Sequence, residues 1–167
     1  MKDKTALLLE LWLEARTRFS NQMESLSSKD LKKKLGKSPN SLGFLVRHMG
    51  EVELLFAKNV FDEKSVKVTA KTVMEKQDNG QWTDLEDLQN YTEASFKNLK
   101  QAVEKQEDKD WESTVTTQEF GTKTKAEAFG RIVSHTAYHA GQMALISVRP
   151  YSRVSRLEAS LARLSSG

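Results

Sequence analysis

The chain has 167 residues, enough for one domain with its own core, and at 38% hydrophobic and 29% charged it has the make-up of a globular protein. It contains no cysteine, which excludes a disulfide framework, a thiolate metal site and a cysteine nucleophile. A net charge of +3 points to no particular partner, and two prolines and eight glycines leave little room for long linkers.

The first segment predicts a helix over about 4–26, because Leu8, Trp12, Ala15, Phe19, Met23 and Leu26 recur at spacings of three and four. Its apolar patch is broken by Glu10 and Glu14 and no small-residue cleavage site follows, so it does not read as a secretory signal. No window approaches the roughly 20 apolar residues that span a bilayer. The expectation is a cytoplasmic protein with no membrane partner. Ser27, Ser28 and the basic patch Lys29 to Lys37 form a connector. A second helix is expected over about 39–61, with Ser38 as its cap and Pro39 in the first position. Leu42, Leu45, Met49, Val52 and Phe56 form its stripe. A polar loop continues through Asn79-Gly80.

The third helix is expected over about 83–105. Thr83 and Glu86 have the spacing of a capping box, and Leu85, Leu88, Thr92, Ser95, Leu99 and Ala102 mark the inner face. The stretch WESTVTTQEFGTK, 111–123, is rich in Thr and Val and reads as an irregular crossing with a short strand. A fourth helix opens on a second box, Thr124 and Glu127, and runs to about Val148, ahead of Pro150. The tail carries a third box, Ser155 and Glu158, with Leu157, Leu161 and Leu164 on one edge. It reads as a short docked or frayed helix. Four long amphipathic helices define an all-α four-helix bundle over 1–150, followed by the tail at 151–167. Lys29 to Lys37 and the series Arg149, Arg153, Arg156 and Arg163 lack interleaved stacking aromatics. They read as solvated faces, with no specific nucleic-acid partner.

Chemistry concentrates in SHTAYHAGQM, 134–143, which holds two of the chain's three histidines, His135 and His139. Four residues apart on a helix, they share a face and can aim at one point, as a divalent metal requires. At about 100° per residue, His139 falls roughly 70° and His135 roughly 100° from the centre of the apolar face. On the second helix His48 falls roughly 70° from its stripe. Two helices thus carry all three histidines at the edges of their core faces, where packing can bring them into a cleft. The pattern alone admits two readings, a metal site or half-buried histidines with ordinary hydrogen bonds.

Other chemistries fail on the string. HTAYH lacks the glutamate of a zinc protease, and no E-x-x-H motif of a di-iron bundle occurs. Phosphate-binding glycine loops and serine-nucleophile motifs are absent too. What remains is a three-histidine site with an open position. Gln142 lies one turn beyond His139 and can orient a ligand, or be a capped or solvated amide. Glu51, three residues after His48, can be an acceptor behind that histidine, a proton shuttle or a fourth ligand. The plainer expectation for Glu51 is a solvated surface side chain; Tyr138 can line the pocket, its plainer expectation being a packing role.

HTAYHAGQM resembles the H-x-x-x-H-x-x-Q signature in the last bundle helix of the DinB/YfiT-like superfamily, here His135, His139 and Gln142. SLGFLVRHMGEVE is similar to that family's second-helix segment, whose histidine, here His48, is the third metal ligand. Gly121, Thr124 and Glu127 match the run before the last helix. The resemblance covers about residues 4–149. It implies a bundle with one long crossover and a divalent metal, zinc or nickel, held by His48, His135 and His139. It further implies a small-molecule substrate, a homodimer, and a transferase that activates a low-molecular-weight thiol of the bacillithiol type for conjugation in stress or detoxification. The alternatives are a hydrolase using metal-bound water and a non-catalytic metal-binding bundle.

Overall fold

The computed structural model describes residues 3–147. The expected helix end at Val148 and the tail at 151–167 lie outside the described residues. Four long helices, α1 (Lys4–Ser25), α2 (Leu42–Asn59), α4 (Leu85–Glu104) and α5 (Lys125–Ser147), carry the fold. A short helix, α3 (Lys71–Glu75), interrupts the expected polar loop between α2 and α4. Between α4 and α5 run a 3-10 turn, Asp108–Glu112, and a hairpin of β1 (Thr114–Thr117) and β2 (Gly121–Thr124). The strands are antiparallel, with Thr114 opposite Thr124 and Thr117 opposite Gly121. The class is all-α with one small ribbon.

The helix starts follow local hydrogen-bond chemistry. At α5, the Thr124 hydroxyl accepts from the Glu127 amide while the Glu127 carboxylate accepts from the Thr124 amide, a reciprocal box as read from sequence. The start of α2 lies three residues later than expected. Ser38 accepts from Asn40 within the connector, and Ser41 caps the helix by accepting from the Phe44 amide. The α4 cap is Asp84, whose carboxylate accepts from Asp87. Thr83 is displaced because an adjacent aspartate is the stronger cap.

Helix α2 packs on α4 and α5, and α1 packs on α5 and α4. This double coverage buries α2 beyond its stripe: Val46, Leu54 and Ala57 are inside together with Leu42, Leu45, Met49, Val52 and Phe56. The interior forms two apolar clusters. One gathers Trp12, Phe56, Phe61, Leu99, Trp111, Phe129 and Ile132. The other gathers Phe19, Met23, Leu42, Leu45, Met49, Leu88 and Met143.

Between these clusters, along each helix, sit polar residues. Arg16 lies between Trp12 and Phe19, Glu53 between Met49 and Phe56, and Ser95 between Leu88 and Leu99. The Arg16 guanidinium reaches Glu53 at 2.7 Å, with both side chains almost wholly buried. Ser95 donates to the Glu53 carboxylate, and Arg16 also donates to the Thr92 carbonyl. Burial pushes the Glu53 carboxyl upward, against the pull of Arg16 and Ser95. In sequence the histidines also fall between members of the two clusters: His48 between Leu45 and Val52, His135 and His139 between Ile132 and Met143.

Candidate metal centre

Helix α5 presents His135 and His139 one turn apart, and α2 brings His48 up to them. Ring centroids lie 5.1 Å apart for His48 and His135, 4.9 Å for His48 and His139, and 4.4 Å for His135 and His139. One ring nitrogen from each comes within 4.8 Å of the others, the closest approach being Nε2 of His48 to Nε2 of His135 at 3.1 Å. Nitrogens held by one ion at about 2.0–2.1 Å lie roughly 3–3.5 Å apart, so little movement separates this cluster from a ligand set.

The other ring edges explain the orientation. The Thr72 hydroxyl, on α3, donates to the Glu51 carboxylate at 2.6 Å and faces His48 Nδ1 at 3.0 Å. A hydroxyl has one proton, so towards His48 it accepts, and Nδ1 carries the hydrogen. His139 Nδ1 donates to the Gln142 amide oxygen at 2.7 Å, while the Gln142 amide nitrogen donates to the Tyr138 hydroxyl. Both rings are therefore protonated on Nδ1 and keep the Nε2 lone pair. His135 Nδ1 is buried without a partner.

Burial and the crowding of like groups hold all three rings neutral. His48 is lowered to about 4 by burial and by His139. His135 is lowered to about 3 by burial, by His139 and His48, and by Arg131. His139 is lowered by burial, with the Gln142 bond opposing. The metal-free protein accordingly loses stability on acidification. Below about pH 6.5 the unfolded chain binds protons that the folded histidines refuse until about pH 4 and 3. Between pH 6.5 and 5, stability falls with a slope that steepens from about 0.7 towards about 1.4 kcal/mol per pH unit for each fully shifted histidine. Urea unfolding across that range reads the slope, and His135→Phe flattens it.

Glu51 is wholly buried, against the expected surface position. Arg47 donates to one of its oxygens at 3.0 Å, and the Thr72 amide and hydroxyl donate to the other. These three donors make a buried carboxylate tenable. Tyr138, expected to pack, is 62% exposed and lays its ring edge-on to His139 at 5.0 Å. Thr72 was not visible as a functional position, because nothing in its polar connector marks it before α3 docks on α2.

The cluster forms part of the wall of a cleft of about 1050 Å³ between α2, the hairpin and α5. Val52, Phe56 and Val73 give apolar lining, Phe120 and Glu119 come from the hairpin, and Arg131 lines the cleft from α5, four residues before His135. Arg131 pairs with Glu119 at 3.1 Å and lies over the Phe120 ring, tying the hairpin to α5. Among the described residues, no helix is long and apolar enough to cross a membrane.

A helical bundle with a three-histidine cluster in the wall of an open cleft is a scaffold able to present a metal to small molecules. The family described as the DinB superfamily matches residues 11–143, and the chain belongs to it. No curated protein matches the chain.

Proposed function

We propose that His48, His135 and His139 hold a divalent cation, zinc or nickel, and that the protein is a transferase joining a low-molecular-weight thiol to an electrophile in the cleft. The observation that carries this reading is the convergence of three neutral imidazoles, two of them with their Nδ1 hydrogens tied off. Three imidazoles packed together without a carboxylate among them suit a cation, which would displace the hydrogen now shared between His48 Nε2 and His135 Nε2. A divalent ion in this set supplies Lewis acidity at neutral pH, since the three ligands leave its charge uncancelled.

The chain's own residues do the remaining work. Thr72 and Gln142 hold the His48 and His139 rings in place. The cleft wall mixes apolar side chains with polar ones and leaves room for a ligand far larger than water. With no cysteine in the chain, the thiol must come from a small molecule. Leu7 and Leu11, 50% and 60% exposed on α1, are where we place a homodimer contact.

The test is a conjugation assay with metal-loaded protein, a panel of low-molecular-weight thiols and a reactive electrophile. Turnover that requires the metal and fails in His135→Ala is the expected result. Hydrolysis of esters or amides without thiol dependence points instead to a hydrolase. A metal that binds but exchanges no thiol or water points to a non-catalytic bundle.

A further inference from the structure

We infer that Thr72 is a positioning residue of the histidine cluster: held by the buried Glu51 carboxylate, its hydroxyl fixes the His48 hydrogen on Nδ1 and turns Nε2 toward the other two rings. Its role in metal binding rests on the reading proposed above. The protonation pattern stands on hydrogen-bond geometry alone.

The chain of donors has one consistent direction. Arg47 donates to Glu51 at 3.0 Å, so that carboxylate is half of an ion pair and can only accept. Thr72 must then donate its single proton at 2.6 Å, which leaves only a lone pair facing His48 Nδ1 at 3.0 Å. The origin of the chain is itself fixed. The Arg47 guanidinium lies 3.3 Å from the Tyr91 ring centroid and 4.9 Å from that of Trp82. Gly50 permits this, because a Cβ there would come within 2.8 Å of the Tyr91 ring. Thr72 is itself 3% exposed. Its amide also donates to the same Glu51 oxygen at 2.8 Å, so one carboxylate both docks α3 and orients the hydroxyl.

A hydrogen-bonded Nδ1 fixes the ring plane of a ligand histidine and raises the basicity of its Nε2, and losing such a partner typically costs 10–100-fold in metal affinity. Valine matches threonine in shape but cannot accept a hydrogen bond. Serine keeps the hydroxyl.

The experiment has two readouts on the full chain. Nitrogen NMR of the histidine rings, on metal-free protein at neutral pH, reads which nitrogen of His48 is protonated. Zinc titration with a competing chelator reads affinity. Wild type and Thr72→Ser are expected to show His48 protonated on Nδ1. Thr72→Val is expected to lose that preference and to bind zinc about 10–100-fold more weakly. A wild-type His48 protonated on Nε2 overturns the inference without recourse to any variant. So does a Thr72→Val protein with unchanged tautomer and affinity, or a Thr72→Ser protein as impaired as the valine variant. If wild type takes up neither zinc nor nickel, the metal reading fails, while the tautomer comparison still decides the role of Thr72.

Discussion

Glu53→Ala destabilises the protein by about 3–5 kcal/mol, the cost of leaving a buried charge without its partner. Arg16 and Glu53 are 2.7 Å apart with side chains 8% and 1% exposed, so solvent cannot replace the lost carboxylate. Arg16 is also wedged 4.3 Å from the Phe96 ring centroid and 5.3 Å from that of Phe19, which keeps it from swinging out to water. The double replacement Arg16→Met with Glu53→Leu recovers most of the loss, since a well-packed apolar pair of similar volume replaces a buried ion pair at little cost. Urea unfolding at constant slope measures both. A single replacement that costs no more than an exposed salt bridge, about 0–1 kcal/mol, contradicts a closed interior here.

The second large effect concerns the histidines. Free zinc or nickel at about a thousand times its dissociation constant stabilises the folded protein by about 4 kcal/mol. For a domain of this size that raises the melting temperature by roughly 8–16 °C. The gain holds down to about pH 5, because burial keeps the folded rings neutral until about pH 4 and 3, and it shrinks below that as protons compete for the nitrogen lone pairs the metal needs. His48→Ala, His135→Ala and His139→Ala each abolish it. Thermal unfolding with metal, with chelator and in the three variants reads the effect. Equal melting temperatures with and without metal count against the proposed centre.

Much of this architecture was legible in the string. Spacings of three and four placed the long helices, and the Thr124 and Glu127 box set the start of α5 to the residue. Where two good caps lay close together, the sequence did not say which wins, and Ser41 and Asp84 displaced Ser38 and Thr83. The His135 and His139 spacing was visible because a helix converts it directly into proximity.

Contacts between helices were harder to read. Arg16 falls on the α1 stripe, four residues after Trp12 and three before Phe19. Glu53 holds the same position relative to Met49 and Phe56. That matched pair of charges on two core faces was a usable signal for the buried ion pair. Glu51 reads as surface because its partner Thr72 lies 21 residues away, in a connector with no pattern of its own. Only the docking of α3 brings the hydroxyl to His48.

The central claim is a cation held across α2 and α5, and metal content tests it most directly. Untagged protein, purified without chelators and measured by elemental mass spectrometry beside His48→Ala and His139→Ala, is expected to carry close to one zinc or nickel per chain. Both variants, one on each helix, are expected to carry none. Wild-type protein that stays empty after incubation with either metal, or variants that keep theirs, contradicts the account.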